Sequence, residues 1–181
     1  MDLSRLAIAD LGALICTRLR EAGVPVTLSG GACAEIYSGG VYVTGDLDLV
    51  VNHFWLPYGQ TIERVMRSLG FSKSGRVYAC PTVAYTVEFP PGPLEIGEEC
   101  HVAGVERKCT TGTLSLLSAV DCVKDRLAGY FYGNDAQCLE QAVLVCRNND
   151  VDLDAVRAWA ANEARPERFN VFQQRVAEEG S

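Results

Sequence analysis

The sequence predicts an α/β (α+β) fold, in which helices flank a mixed β-sheet and a helical portion follows at the C-terminal side. Three observations support this. Over residues 1–70, helix-type spacing of apolar residues alternates with short apolar runs bounded by glycine or proline. Residues 71–109 change to strands and turns. After residue 112, apolar residues recur every three or four positions, which predicts amphipathic helices that need a packing partner. We therefore expect a sheet domain over 1–112 and a helical portion over 113–181.

The composition limits the function classes. With 181 residues, of which 48% are hydrophobic, the chain can build one domain with a small appendage. It contains no apolar run of bilayer length and no N-terminal signal-peptide pattern, so we expect a cytoplasmic protein without a membrane partner. The net charge of −7 disfavours sequence-independent binding to bulk DNA. A nucleotide, a small molecule or a protein is the favoured partner, and a tRNA remains possible if the few basic residues cluster.

Eight cysteines raise the question of metal binding. None forms a Cys-x-x-Cys pair, and several occupy apolar positions of helical patterns, so free thiols are the expected state. A less favoured alternative is a zinc site gathered from Cys80, Cys100, His101 and Cys109.

Capping residues, glycine and proline predict where the first helices and strands begin and end. We expect a helix over 4–21 with Ser4 as its N-cap and Gly23 as its stop signal, then a strand that begins after Pro25. A short helix over 30–38 follows. After it comes an acidic strand that ends at Val51.

The later elements follow from the same signals. Residues 52–57 predict a loop that carries His53, whose simpler interpretation is an exposed histidine. Apolar spacing predicts a helix over 58–69, and a strand is expected over 83–89, before the Pro90-Pro91-Gly92-Pro93 segment. The final helices are expected to follow Ser118, Gly133, Asp152 and Pro166, with Ser118 and Asp152 as N-caps.

The first candidate site residues surround a glycine pair. Gly30 and Gly31 follow an apolar strand and precede a short helix. Glycine permits a tight turn and close approach of an anion to the backbone amides. The N–H groups at the start of a helix favour phosphate. This turn is therefore a candidate phosphate-binding site.

Two aspartates stand in the next strand. Asp46 and Asp48 are separated by one residue, so on a strand they project to the same face. Paired carboxylates repel each other and are costly to bury, and a hard divalent cation with oxygen ligands removes that cost. The alternative is a tight turn followed by a surface strand with two solvated aspartates.

The segment Leu28-Ser29-Gly30-Gly31, followed by Thr44-Gly45-Asp46-Leu47-Asp48-Leu49, resembles the signature of the DNA polymerase beta-like nucleotidyltransferase superfamily. The resemblance implies a nucleotidyltransferase-like sheet and a third carboxylate on a later strand. Glu88 matches that position best, with Glu95 second; the alternative for Glu88 is an exposed edge-strand glutamate. The resemblance further implies that Asp46, Asp48 and Glu88 are catalytic and hold Mg²⁺ (or Mn²⁺).

The helix after Ser118 carries a second, looser similarity. Its Asp121, Lys124 and Ala128 resemble the helix that follows the catalytic sheet in minimal nucleotidyltransferases and related abortive-infection or toxin proteins. The resemblance implies that Lys124 and Arg126 approach the nucleotide phosphates, together with Ser29, Gly30 and Gly31. A solvated helix lysine is the alternative for Lys124.

Taken together, the resemblance implies transfer of a nucleoside monophosphate from a nucleoside triphosphate (NTP) to an acceptor hydroxyl by a two-metal mechanism. The acceptor, whether a small molecule, a protein or a tRNA, stays open, and an oligomer is possible. Two alternatives remain: a catalytically inactive nucleotide-binding or protein-interaction module, and the toxin of a toxin–antitoxin pair.

Overall fold

The computed structural model describes residues 2–52 and 57–179, with the side chain of Glu179 left out. A seven-stranded sheet runs through the described chain in the order β3-β4-β5-β2-β1-β7-β6. The strands are β1 (Val26–Ser29), β2 (Asp46–Val51), β3 (Ser72–Ser74), β4 (Val77–Ala79), β5 (Thr86–Glu88), β6 (Val105–Cys109) and β7 (Gly112–Leu116). β1 pairs with β7, and β2 with β5, in parallel, whereas the other pairs are antiparallel. The predicted mixed sheet is confirmed.

The helices are α1 (Ile8–Glu21), α2 (Gly30–Tyr37), α3 (Gly59–Ser68), α4 (Ala119–Gly133), α5 (Ala136–Asn148), α6 (Leu153–Asn162) and α7 (Pro166–Glu179). The last four form the expected helical portion. No helix in the described part of the chain combines the length and the apolar character that a membrane span requires.

Side-chain caps explain several helix starts. Ser118 Oγ accepts a hydrogen bond from Asp121 N at 3.1 Å, and Asp152 Oδ1 accepts from Ala155 N at 3.0 Å, which confirms both predicted N-caps. The prediction for Ser4 is wrong. Ser4 lies in a short 3₁₀ turn, where its amide donates to Asp2 Oδ1 at 3.0 Å. Helix α1 begins only at Ile8, after an N-cap, Ala7, that makes no side-chain bond.

Two further expectations concern the strand over 83–89 and the loop over 52–57. The strand expected over 83–89 is shorter, since only Thr86–Glu88 pairs with neighbours. The loop expected over 52–57 falls mostly on residues 53–56, including His53, which lie outside the described residues.

The alternation of β2 assigns the two faces of the sheet. Leu47 and Leu49 are fully buried, and Leu47 lies beside Gly12 of α1, so these leucines define the α1 face. Asp46 and Asp48 project to the opposite face, because side chains alternate along a strand. Asp46 and Asp48 therefore stand on the face of β2 away from α1, which they share with the buried Val50.

The helical portion is tied to the sheet domain by polar contacts as well as by apolar packing. Trp159 Nε1 donates to Ile96 O at 3.2 Å. The buried Glu163 carboxylate accepts hydrogen bonds from Glu98 N at 2.9 Å and from the Tyr132 hydroxyl. Strand β7, which lies between β1 and β6, belongs to the sheet, so the sheet continues past residue 112. The division of the chain at that residue stays a prediction.

Candidate active site

Three carboxylates project from one face of neighbouring strands. Asp46 and Asp48 share a face of β2. In the parallel pairing of β2 with β5, Asp48 stands opposite Glu88, and paired residues in a ladder point to the same side. The register therefore places Glu88, the preferred third carboxylate, on the face of the aspartate pair. Glu95, the other candidate, is exposed in the segment after β5.

The carboxyl group of Asp48 is strongly perturbed by its surroundings. Its pKa is raised to about 6, mainly because the group is partly buried and also because Asp46 and Glu88 repel its charge. Arg126 acts in the opposite direction. No described residue donates a hydrogen bond to this carboxylate. In the metal-free protein the ionised form of Asp48 is therefore poorly stabilised, and a bound cation would stabilise it.

The glycine turn comes very close to this carboxylate. Gly30, the first residue of α2, has φ +70°, in the left-handed region that favours glycine. A Cβ atom at this position would lie 2.6 Å from Asp48 Oδ2. Both the backbone conformation and the contact therefore require glycine, and they place the start of α2 directly beside Asp48.

The loop between α2 and β2 lies against the second glycine. A Cβ atom at Gly31 would lie 3.1 Å from Thr44 Oγ1 and 3.3 Å from the Tyr42 hydroxyl. Thr44 Oγ1 also donates to Asp46 Oδ1 at 2.6 Å. The buried Glu35 of α2 fixes this loop, because its Oε2 accepts from Thr44 N at 2.7 Å. Two hydroxyl groups that the sequence did not single out therefore lie beside the glycine turn.

A fourth carboxylate reaches the turn from helix α4. Asp125 Oδ2 accepts a hydrogen bond from Gly30 N at 3.2 Å and contacts Arg126 Nη2 at 2.6 Å. Arg126 Nη1 also donates to Gln141 Oε1 at 3.2 Å. Burial alone would lower the pKa of Arg126, but the charge and hydrogen bonds of Asp125 raise it above its ordinary value. Arg126 therefore stays charged, and its charge acts on Asp48.

Sequence reasoning did not single out Asp125. The available signal was an aspartate directly before an arginine on a helix that otherwise reads as packed against the sheet. A buried Asp-Arg pair needs further polar partners. The amide of Gly30 is one of them, but only the fold brings it near.

Lys124 lies in a separate ion-pair group. Its Nζ is 2.9 Å from Glu99 Oε2 and 3.2 Å from Asp121 Oδ1, and 11% of its side chain is exposed. Burial acts to lower the pKa of Lys124, but the hydrogen bonds to Glu99 and Asp121 raise it overall. The structure thus brings Ser29, Gly30, Gly31, Asp46, Asp48, Glu88 and Arg126 to one region, whereas the ammonium of Lys124 holds α4 to the segment around Glu99.

The candidate metal-binding side chains among the described residues do not converge on a common point. Over residues 2–52 and 57–179, no group of three or more His, Cys, Asp and Glu side chains is gathered closely enough to hold a metal ion. This holds for the carboxylates on β2 and β5 and also for the cysteines proposed for zinc. All eight cysteines are free thiols, as expected.

Comparisons with known proteins bear on the fold. No protein-family model and no curated protein sequence matches the chain. A crystal structure of an antigenic nucleotidyltransferase-like protein from Paracoccidioides brasiliensis superposes with a TM-score of 0.59, at 14% identity, over 95% of this chain and 92% of the other. The chain has the nucleotidyltransferase fold. The solution structure of the antibiotic-resistance factor ANT(2'')-Ia superposes similarly, with a TM-score of 0.53 and 16% identity over 96% and 97% of the two chains.

The superpositions confirm the predicted nucleotidyltransferase-like architecture. The similarity to the minimal and abortive-infection branch stays a prediction. At 14% and 16% identity these superpositions show the fold alone. The roles of individual residues follow only from the geometry of the site.

Proposed function

We propose that the protein transfers a nucleoside monophosphate from an NTP to an acceptor hydroxyl. One observation carries the proposal: Asp48 stands between the start of helix α2 at Gly30 and the carboxylate of Glu88. A phosphate-binding turn and a carboxylate group are thereby joined at a single residue, in a chain with the nucleotidyltransferase fold.

The glycine turn is the site proposed for the triphosphate. The amides at the start of a helix, together with its positive dipole end, attract phosphate oxygens. The amide of Gly31 and the hydroxyl of Tyr42 are donors near that point, whereas the hydroxyls of Ser29 and Thr44 would first have to leave Asp48 O and Asp46 Oδ1. Asp125 already occupies the amide of Gly30, so the amide of Gly31 is the more suitable donor.

The carboxylates are the proposed ligands of Mg²⁺ or Mn²⁺. Asp46, Asp48 and Glu88 offer only oxygen donors, which fits these hard cations. Burial and the charges of Asp46 and Glu88 raise the pKa of Asp48, and a bound cation would offset both effects. When bound, such ions polarise the reacting phosphate and the attacking hydroxyl. The metal-free group is not closed around a common point, so binding would have to draw the three side chains together.

The other charged groups have separate roles in the proposal. Glu88 is the carboxylate placed to accept the proton of the acceptor hydroxyl, because it stands on the side of Asp48 that is remote from β1 and the glycine turn. Arg126 offsets negative charge that develops on the leaving pyrophosphate. Lys124 would contribute only after it leaves Glu99 and Asp121.

The test measures binding and turnover separately. Each of the four NTPs is titrated calorimetrically with Mg²⁺, and pyrophosphate release is followed with small-molecule, protein and tRNA acceptors. We expect Asp48→Asn to abolish turnover and Asp150→Asn, at an exposed turn, to leave it unchanged. Turnover that survives Asp48→Asn contradicts the proposal. Binding without turnover in the natural chain supports instead the inactive nucleotide-binding module.

A further inference from the structure

A cavity lies beside strand β5, with Glu88 among its lining residues. It has a volume of about 590 Å³ and is enclosed by the start of α3, the β3–β4 hairpin and the segment that follows β5. Small-molecule sites commonly have volumes of 300–1,000 Å³ (roughly) and combine apolar walls with a few polar groups. The cavity is therefore large enough for a ligand of its own.

Strand register separates this cavity from the active site. Tyr78 of β4 stands opposite Val87 of β5, so both project to one face of the sheet, and Lys73 of β3 shares the face of its partner Tyr78. Glu88 is the next residue after Val87, so its side chain projects to the other face, toward Asp48. Strand β5 thus forms a wall between the two sites.

The cavity has an aromatic wall. The rings of Tyr78 and Phe89 meet edge to face, with centroids 5.4 Å apart and planes at 86°. Tyr58, Ile62 and Pro90 complete the apolar lining. Aromatic pairs in this geometry are favourable and hold each other's orientation, so they present a preformed surface to a planar apolar group.

Two cations stand at the same cavity without an acidic partner. Lys73 and Arg76 are exposed, and within the described ranges 2–52 and 57–179 neither forms an ion pair. Lys73 Nζ lies 5.6 Å from the centroid of the Tyr78 ring, which is a cation–π contact. Among the described lining residues the only acid is Glu88, whose carboxylate faces away. In a chain of net charge −7, these two cations at one cavity favour an anionic ligand there.

We propose that this cavity binds a small organic anion with a planar apolar body. The body packs against Tyr78, Phe89 and Tyr58, and the carboxylate or phosphate group meets Lys73 and Arg76. The proposal does not depend on nucleotidyl transfer on the opposite face.

The experiment uses three naphthalene probes with the full-length chain: 2-naphthoate, 2-naphthyl phosphate and the neutral 2-naphthamide. Binding is followed by amide chemical shifts in ¹H–¹⁵N NMR spectra. We expect both anions to bind more tightly than the amide and to shift the signals of Ile62, Tyr78 and Phe89. Comparison of the two anions measures whether the cavity prefers a carboxylate or the more highly charged phosphate.

Charge variants test the role of the cations. We expect the double variant Lys73→Gln, Arg76→Gln to bind both anions about tenfold more weakly, because two exposed charges are lost. Binding of the neutral amide should not change. The matched control is Arg64→Gln with Arg107→Gln, which removes the same charge from exposed positions outside the cavity. Equal loss in the control, or no loss in the cavity variant, overturns the proposal.

A filling variant tests the cavity itself. Gly59 lines it, and a Cβ atom there would meet nothing within 4 Å, so Gly59→Phe adds a ring at the cavity wall without a clash at Cβ. We expect it to abolish binding of all three probes without lowering the melting temperature. Unchanged anion binding in Gly59→Phe, or absence of any probe-induced shift at millimolar concentration in the natural chain, also overturns the proposal.

Discussion

Replacement of Asp48 by asparagine should stabilise the metal-free protein. The folded protein raises the pKa of this carboxyl from 3.8 to about 6. One unit corresponds to about 1.36 kcal/mol, so a shift of about two units corresponds to about 3 kcal/mol of unfavourable interaction when the group is ionised. Because the group is only partly buried, solvent screening reduces this to about 1–2 kcal/mol.

The sign follows from proton linkage. The folded state binds the proton of Asp48 more tightly than the unfolded state, so the free energy of unfolding falls as the pH rises from about 4 to about 6. Above pH 6 the penalty is fully present. Asparagine has the same shape and no charge, so the Asp48→Asn variant lacks this part of the pH dependence.

Thermal unfolding in EDTA, at several values of pH from 4 to 8, measures the difference. For a chain of this length, about 1–2 kcal/mol corresponds to a rise in Tm of about 2–8 °C above pH 6. The rise should disappear near pH 4. The control Asp150→Asn, at an exposed turn, should change neither the Tm nor its pH dependence. Addition of Mg²⁺ should raise the Tm of the natural chain and have a smaller effect on Asp48→Asn.

A Tm of Asp48→Asn below that of the natural chain would refute the reasoning. So would a Tm difference between the two proteins that is the same at pH 4 and at pH 8. Either result would mean that the charge of Asp48 is compensated in the folded protein. The conclusion that burial and the neighbouring carboxylates destabilise the ionised form of Asp48 would then fail.

Three further substitutions test other parts of the site and fold. Gly30→Ala combines a strained φ with a contact to Asp48, so it should lower stability by about 1–3 kcal/mol more than Gly40→Ala, which has φ +82° in open space; urea unfolding compares the two. Asp125→Asn should weaken the bond to Gly30 N and leave Arg126 without its ionic partner, which costs about 1–3 kcal/mol in thermal unfolding and weakens nucleotide binding in calorimetry. Asp152→Ala should cost about 1 kcal/mol, measured by urea unfolding, through loss of the α6 cap, with no effect on nucleotide binding.

The part of the site that is local in sequence could be predicted. Asp46 and Asp48 are two residues apart on a strand, and strand geometry alone puts them on one face. Gly30 and Gly31 join a strand to a helix, and that junction is also a local feature. The sheet and the helical portion followed from the change in apolar periodicity along the chain.

The parts that depend on contacts distant in sequence could not be predicted. Asp125 lies 95 residues after Gly30, and no periodicity reveals that its carboxylate meets that amide. The same holds for Lys124, whose partner Glu99 lies in an irregular segment. The error at Ser4 has a different cause: Asp2 competes as a capping residue and closes a separate 3₁₀ turn before α1 begins.

The bond from Asp125 to the amide of Gly30 joins a late helix to the earliest turn of the sheet. A displacement of α4 would therefore change this hydrogen bond and the backbone beside Asp48. A ligand that accepts a hydrogen bond from the Gly30 amide would, in turn, release Asp125 of α4. A molecule that docks on the helices could in this way control the turn over a long distance in sequence. Engineers who exchange the helical portion between related proteins should accordingly transfer Asp125 and Arg126 together with the turn that they hold.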